Sequence, residues 1–353
     1  MAKFRFLQKP FTIKGLSLKN RLVMPPMCQY QAVDGLPNDW HFVHYTARAI
    51  GGIGLIIVEM TNVAPNGRIS PNCLGLWCDS QRDELKKIVD SVHKHGSKIA
   101  IQIAHAGRKA QNCDDVVAPS AIHYGKLDFE GQNLKTPRAL SISDIDDIIA
   151  GFVSAVKRAI DAGFDAIELH GAHGYLIHQF HSPKSNVRDD KYGQDRLLFG
   201  ETIIQAVKAV MPSDMPLIMR ISAQEYGENG YDSDYGVQIA KRYVAAGVDI
   251  LHVSGGGDGV LVAGKHPEFS AGYQVALSSK MKQATNVPII AVGMLENPHV
   301  ADHVLAVGDA DLVAVGRGLL RDPQWWLNAQ YNQAGADFDG VMDVPKAYER
   351  GYF

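Results

Sequence analysis

Three side chains that could hold and protonate a ligand lie close together in the sequence, at His170, His173 and Tyr175. They follow an apolar stretch that predicts a buried strand. Because Gly171 and Gly174 allow the backbone to turn sharply, we expect the two imidazoles and the phenol to line one pocket. Such a set suits one task, which is to hold a carbonyl oxygen while a proton is delivered nearby.

Two other interpretations of the histidine pair remain open from the residues alone. Either imidazole could be a hydrogen-bonded residue of the core, which is the common role of a buried histidine. The His-x-x-His spacing of His170 and His173 could also bind a metal ion, although no nearby cysteine or evident carboxylate completes a ligand set.

The composition predicts a soluble globular protein of the cytoplasm. The chain has 353 residues, of which 46% are apolar and 21% charged, and its net charge is −3. It contains no basic stripe or acidic tail, so we expect neither a nucleic acid nor a polyelectrolyte partner. The four cysteines form no Cys-x-x-Cys pair and predict no disulfide framework. The N-terminus does not resemble a signal peptide, and the apolar runs are too short to span a bilayer.

Short apolar strands alternate with amphipathic helices along the whole chain. The predicted strands are 21–24, 54–59, 98–104, 164–170, 216–222, 249–254, 287–292 and 311–315. The predicted helices are 39–49, 79–95, 143–162, 195–211, 233–246, 274–284 and 297–307. Eight strands alternating with these helices predict a closed (β/α)8 TIM barrel in one α/β domain over residues 1–336, with 337–353 as a C-terminal extension. An open doubly wound sheet is the alternative.

Polar residues are predicted at the carboxyl ends of these strands, where barrel enzymes place their active sites. Besides the His-Tyr cluster, they are Cys28, Tyr30, Gln102, Lys109, Arg220, Ser254, Gly293, Gly316 and Arg317. Glycines after the seventh and eighth strands, with Arg317 beside them, suit a phosphate group. Arg220 is either a fixed cation beside an anionic ligand or one member of a structural ion pair. Together they indicate a flat, phosphate-bearing, redox-active cofactor.

Four stretches carry a resemblance to a known family. They are NRLVMPPMCQY at 20–30, QIAHAGRK at 102–109, HGAHGY at 170–175 and AYERGYF at 347–353. Together they resemble the old yellow enzyme family of FMN-dependent ene-reductases, in its bacterial, thermophilic-like branch of NADPH dehydrogenases. The likeness covers nearly the whole chain.

The resemblance implies that FMN lies across the barrel mouth. The residues implied to bind it are Pro26, Met27, Cys28, Met60, Gln102, Arg220, Gly293, Gly316 and Arg317. Cys28 is implied to tune the flavin potential, Gln102 to contact the edge of the ring, and Arg220 to face flavin N1 and O2. The chain departs from the family pattern at Pro25, where a small hydroxyl residue or alanine is usual, and at Met60, where a small residue is usual.

The resemblance also implies a reaction, in which NAD(P)H reduces FMN and an activated alkene then takes the same pocket. The implied substrates are α,β-unsaturated carbonyl compounds, with nitro compounds as a further class. His170 and His173 would bind the substrate oxygen, Tyr175 would donate a proton, and Tyr30 would contact the substrate. Arg350 is implied to enter the site of a neighbouring subunit in a homodimer or homotetramer, although the sequence alone allows it to be a solvated charge.

Two alternative functions come from other classes of protein. A metal-dependent barrel aldolase or hydrolase would use His170 and His173 as metal ligands. A flavin-binding redox sensor with little turnover would use Cys28 as its responsive thiol. A buried structural cysteine is an equally good interpretation of that residue.

Overall fold

The structure, a computed structural model, describes residues 4–110, 113–125, 134–257, 267–334 and 344–351. The predicted boundary between residues 336 and 337 lies outside the described residues, as does part of the predicted extension. Within the described ranges no helix is long and apolar enough to cross a membrane.

The described residues contain twelve β-strands, eight of which form a closed barrel. They are β1 (Phe11–Ile13), β2 (Leu16–Leu18), β3 (Leu22–Met24), β4 (Leu55–Asn62), β5 (Lys98–Ala104), β6 (Val117–Ala118), β7 (Arg138–Ala139), β8 (Ala166–Gly171), β9 (Leu217–Ser222), β10 (Ile250–Ser254), β11 (Ile289–Val292) and β12 (Leu312–Ala314). The barrel order is β3-β4-β5-β8-β9-β10-β11-β12, closing on β3, with every neighbouring pair parallel. The predicted (β/α)8 barrel is confirmed.

Eleven α-helices are described, most of them packed around the outside of the barrel. They are α1 (Asp39–Ile50), α2 (Asp79–Lys94), α3 (Ile142–Ala162), α4 (Leu176–His181), α5 (Lys191–Gln194), α6 (Leu198–Lys208), α7 (Ser233–Ala246), α8 (Val275–Ala284), α9 (Pro298–Ala306), α10 (Arg317–Arg321) and α11 (Trp325–Ala334). Three short 3-10 turns lie at Pro65–Gly67, Gly107–Lys109 and Lys346–Gly351.

The predicted helix at 195–211 is too long at both ends, since α6 covers Leu198–Lys208. The chain before it forms the separate short helix α5, whose N-terminus is capped by Asp190. The predicted helix at 143–162 begins slightly earlier, because Ser141 is its N-cap and forms a capping box with Asp144.

The barrel interior is built in layers, because alternate residues of each strand point inward. The lowest layer is apolar and includes Val23, Leu55, Ala100, Ala166, Ile218, Ile250, Ile290 and Leu312. The β1–β2 hairpin, which the sequence analysis did not predict, packs Leu16 and Leu18 against this layer and covers the amino-terminal end of the barrel. Two residues further along the same strands, the inward positions become polar: Gln102, Glu168, Arg220 and His252. The barrel is therefore apolar at the bottom and polar towards its mouth.

Candidate functional site

A cavity of about 380 Å³ opens at the carboxyl ends of the barrel strands. This volume lies within the range typical of small-molecule sites. Eight residues that the sequence analysis proposed line it: Pro26, Met27, His173, Arg220, Ser254, Gly293, Gly316 and Arg317. Further lining residues were not singled out as ligand-binding by sequence, including Tyr273, Gln274, Met294 and Glu296.

The turn after β8 gathers the His-Tyr cluster as expected. The His170 ring centroid lies 5.3 Å from that of His173 and 4.9 Å from that of Tyr175, both in edge-on orientations. The backbone of His173 is left-handed (φ +58°), and that of Gly174 is too (φ +71°). A left-handed non-glycine residue is uncommon and often marks a functional site. The local backbone thus bends to bring the three rings together.

His170 is a neutral donor beside His173 and Tyr175, although it is not among the residues that line the cavity. Its Nδ1 accepts the N–H of Ala172 at 3.3 Å, which leaves the proton on Nε2. Burial, with the nearby Arg220 charge, lowers the pKa of His170 well below its usual value. The imidazole is therefore uncharged, with an Nε2–H to offer to a ligand oxygen.

His173 belongs to a chain of hydrogen bonds that the sequence did not predict. Its Nε2 lies 2.9 Å from the Oγ of Ser254, which donates to Oε1 of Gln274 at 3.2 Å; the amide of Gln274 donates to the hydroxyl of Tyr273. In this order His173 donates its Nε2–H to Ser254. If the Gln274 amide rotates by 180°, its NH2 group donates to Ser254 and the Ser254 hydroxyl donates to His173 Nε2. The proton of His173 then lies on Nδ1, where it can be donated to a ligand. Burial lowers the pKa of His173 well below its usual value, so it too is neutral.

Tyr175 keeps its phenolic proton at neutral pH. Burial raises the pKa of its hydroxyl well above the usual value. The ammonium of Lys109 lies 5.2 Å from the centre of the Tyr175 ring and donates to the carbonyl oxygens of His173 (2.6 Å) and Gly257 (2.5 Å). Lys109 thus links the turn after β8, which carries the His-Tyr cluster, to the loop after β10.

Arg220 supplies a buried cation at the centre of the site. It lies on β9 in register with His170 on β8 and with His252 on β10. Burial lowers the pKa of its guanidinium, while the nearby Glu168 carboxylate acts in the opposite direction. Among the described residues its Nε has no hydrogen-bond partner. A buried donor without a partner is costly, so this group is suited to an acceptor on a bound ligand.

A buried network lies in the same layer as Arg220. The Gln102 amide donates to Oε1 of Glu168, and His252 Nδ1 donates to Oε2 of the same carboxylate, each at 2.7 Å. The sequence analysis proposed Gln102 but missed Glu168 and His252 as site residues. The signal was present, since Glu168 is a charged residue within an otherwise apolar strand.

The loop after β3 forms another wall of the site. Pro25, Pro26 and Met27 line the cavity, and Cys28 and Tyr30 follow them. Cys28 and Tyr30 pack with Tyr175 against the apolar cluster that contains Met60. Burial and the nearby Glu59 raise the pKa of the Cys28 thiol far above its usual value. Since the thiolate is the reactive form, this environment does not favour a redox-sensing thiol.

Arg350 is exposed in the 3-10 turn Lys346–Gly351, and it is not among the residues that line the cavity. In the part of the chain that the structure describes, no group of three or more His, Cys, Asp and Glu side chains could hold a metal ion.

Comparison with known proteins places the chain in a family. Residues 6–335 match the model of the NADH:flavin oxidoreductase / NADH oxidase family. The chain belongs to this family. It is 46% identical over 349 residues to the NADPH dehydrogenase of Clostridium acetobutylicum, covering 97% of this chain and 98% of that protein. It is 41% identical over 355 residues to the NADPH dehydrogenase of Bacillus subtilis (strain 168), covering 99% of each.

A solved structure supports the same assignment. Morphinone reductase in complex with tetrahydroNAD superposes with a TM-score of 0.77 and 27% identity, covering 92% of this chain and 91% of that one. The protein is therefore an oxidoreductase that uses FMN, with NAD(P)H as the reductant.

Proposed function

We propose that the protein reduces the activated C=C bond of α,β-unsaturated carbonyl compounds with electrons from NAD(P)H, by ping-pong turnover in the cavity described above. Nitro compounds are a further candidate class. One observation carries the proposal: two neutral imidazoles and a protonated phenol gather beside a buried cation whose Nε is unpartnered among the described residues.

The cavity has donors suited to FMN. Gly293 and Gly316 leave room for close approach of a phosphate, and Arg317 adds a cation beside them. Arg220 Nε would donate to an acceptor on the isoalloxazine edge, with Gln102 near the same edge. Pro26 and Met27 would form a wall of the site, with Cys28 and Met60 packed behind. When bound, FMN accepts two electrons from NAD(P)H and passes them to the second substrate.

The residues of the turn after β8 would act on the alkene substrate. His170 Nε2–H and His173 would donate to its carbonyl oxygen, which draws electron density away from the β-carbon. Donors placed where negative charge develops contribute roughly 3 kcal/mol each to lowering a barrier. Tyr175 would give its phenolic proton to the α-carbon, and Tyr30, which packs in the same apolar cluster as Tyr175, would contact the substrate.

Because Arg350 is exposed, its proposed role in substrate binding requires a second copy of the chain. An arginine on a short exposed turn could enter a neighbouring subunit's site and add a cation there. We therefore propose a homodimer or homotetramer in which Arg350 crosses the interface.

The proposal is tested with the purified holoenzyme under anaerobic conditions. NADPH should bleach the flavin absorbance, and cyclohexenone added afterwards should restore it while cyclohexanone appears. Cyclohexanone itself, which lacks the activated alkene, is the matched control and should leave the flavin reduced. Bleaching that cyclohexenone fails to reverse would leave the protein an NADPH oxidoreductase but would contradict the alkene substrate.

A further inference from the structure

A buried carboxyl group, Glu59, lies next to the site but has no part in the function proposed above. Its side chain is fully buried on β4. The pairing of β4 with β5 shifts between Val58 and Thr61, where β4 has one more residue than the opposing segment of β5. Such a bulge re-aims side chains. Glu59 accordingly contacts α1 on the outside of the barrel, through Tyr45.

The Glu59 carboxylate accepts hydrogen bonds from the loop after β3. Its Oε2 accepts the N–H of Gln29 at 2.7 Å, and the N–H of Tyr30 also points at the carboxylate. Its Oε1 accepts the Tyr45 hydroxyl at 3.1 Å, and the same hydroxyl accepts the N–H of Glu59. The carboxylate therefore joins the loop to both the barrel and α1.

The second residue of the bulge holds the same loop. Met60 belongs to a buried apolar cluster, and Cys28 and Tyr30 of the loop pack against that cluster. Tyr30 has a left-handed backbone (φ +53°), a conformation that persists only where its surroundings enforce it. Because Pro25, Pro26 and Met27 of this loop line the cavity, its anchor helps to set the shape of the cavity wall.

We propose that Glu59 is a positioning residue of the cofactor site, which holds the loop of Cys28 and Tyr30 in place as an anion and releases it when protonated. The inference rests on the proposed function in one respect, that FMN occupies this cavity. It does not depend on which substrate reoxidises the flavin.

The surroundings of Glu59 bring the titration of its carboxyl group close to neutral pH. Burial raises the pKa of Glu59 to about 7, although the hydrogen bonds from Gln29, Tyr45 and Tyr30 act in the opposite direction. The titratable groups that face it come from α1, from the loop after β3 and from the segment after β4: His41, Tyr45, Cys28, Tyr30 and Cys73.

None of these neighbours changes its charge near neutral pH. Burial lowers the pKa of His41 to about 4, so the imidazole is neutral. Burial raises the pKa values of the tyrosine and cysteine side chains, so these stay protonated. Below pH 7 Glu59 gains a proton and loses acceptor capacity towards the loop, while above pH 7 it accepts every N–H that faces it.

The test uses the visible absorption spectrum of the oxidised holoenzyme, which needs neither NADPH nor an alkene. Between about pH 5.5 and about pH 8.5 the spectrum of the wild type should change with an inflection near pH 7. In Glu59→Gln the inflection should be absent. Glu84→Gln removes an exposed carboxyl on α2 and should keep it. An inflection that persists in Glu59→Gln, or a wild type that shows none, overturns the proposal.

A steady-state measurement separates positioning from a purely structural role. Glu59→Gln removes one charged hydrogen-bond acceptor, and we expect the KM for cyclohexenone to rise about tenfold while kcat stays within about twofold. A tenfold change corresponds to about 1.4 kcal/mol, which is the contribution of one hydrogen bond. A lower melting temperature with an unchanged KM would contradict the proposal. If the enzyme shows no turnover with enones, the spectral test still decides the role of Glu59.

Tyr45→Phe provides a second variant that keeps the carboxyl group. Removing the hydroxyl takes away a donor that favours the Glu59 anion, so the inflection should move to higher pH. An inflection at the wild-type pH would show that Glu59 is not the titrating group.

Discussion

At the scale of single residues, the site depends on which nitrogen of each imidazole carries a proton. The backbone N–H of Ala172 donates to Nδ1 of His170, so the proton of His170 lies on Nε2 and can be donated to a ligand. His173 has no such backbone partner on its ring among the described residues, and Ser254 and Gln274 determine its tautomer instead. Both are buried, so the chain of hydrogen bonds is shielded from water.

Ser254→Ala should therefore weaken alkene reduction more than flavin reduction. Without the hydroxyl, His173 is no longer held in one tautomer, and the loss of one buried hydrogen bond predicts a fall of about tenfold in the reoxidation rate with cyclohexenone. Stopped-flow measurement of the two half-reactions checks this. Ser278→Ala is the matched control, because Ser278 is buried on α8 and its Oγ has no hydrogen-bond partner within the described ranges. Equal effects of the two substitutions would contradict the role of Ser254.

Sequence could predict the types of these residues but not their partners. The His-Tyr cluster was predictable because glycines lie at fixed spacing around it. The link from Ser254 to Gln274 was not, because it depends on how the loop after β10 approaches α8, and no local pattern encodes that approach. The charge of Glu168 in an apolar strand was a signal in the sequence, but its pairing with His252 becomes visible only once the strand register is known.

At the scale of elements, the turn between β8 and α4 leaves little room for a larger residue at Gly174. A Cβ on Gly174 would lie 2.7 Å from the carbonyl oxygen of Gly257 and 2.7 Å from Lys109 Nζ. The residue is also left-handed. The turn therefore requires glycine for two separate reasons, backbone conformation and space.

A comparison of Gly174→Ala with Gly308→Ala should separate the cost of backbone strain from the cost of the close contacts. Gly308 is also left-handed (φ +84°), but no atom of the described residues lies within 4 Å of the place that its Cβ would take, so its substitution costs about 1 kcal/mol of backbone strain alone. Gly174→Ala should lower the free energy of unfolding by about 2 kcal/mol or more and also impair reoxidation by cyclohexenone. Chemical denaturation and stopped-flow kinetics measure the two effects. Equal losses of stability in the two variants would show that the close contacts do not matter.

The long elements were predictable and the short ones were not. All eight barrel strands were predicted from short apolar runs. Helix α7 was predicted at its observed bounds, because a full amphipathic period is visible over its length. Helices α4 and α10 are too short to show a period, although both lie beside the site. The bulge at Glu59 leaves no trace in the local sequence pattern, since it appears only in the pairing with β5.

At the scale of the whole molecule, buried neutral histidines make the fold sensitive to acid. Burial lowers the pKa of His105 to about 4, and those of His41 to about 4 and His44 to about 3. Each has a lower pKa when folded than its usual 6.5, so the unfolded chain binds more protons between these values. The stability that they contribute is present above pH 6.5 and is lost as the pH falls. Glu59 acts in the opposite direction, since its pKa is raised on folding.

For His105 this linkage predicts a loss of about 2 kcal/mol in the free energy of unfolding between neutral pH and about pH 5. His105→Asn keeps an acceptor for the N–H of Gly107 but removes the titrating ring, so its stability should fall less steeply over that range. Denaturant titrations at each pH measure the slope. His95→Asn, at an exposed position, should keep the wild-type slope. A wild-type slope in His105→Asn would contradict the assignment.

The central claim is that Tyr175 protonates the alkene substrate and is not needed when NADPH reduces the flavin. Single-turnover kinetics of Tyr175→Phe test it most directly, since the variant keeps the ring and removes only the proton-bearing hydroxyl. Reduction of the flavin by NADPH should stay within about twofold of the wild type, while reoxidation by cyclohexenone should slow by about 10²-fold or more. If both half-reactions slow together, or if reoxidation is unchanged, Tyr175 is not the proton donor and the account of the site is wrong.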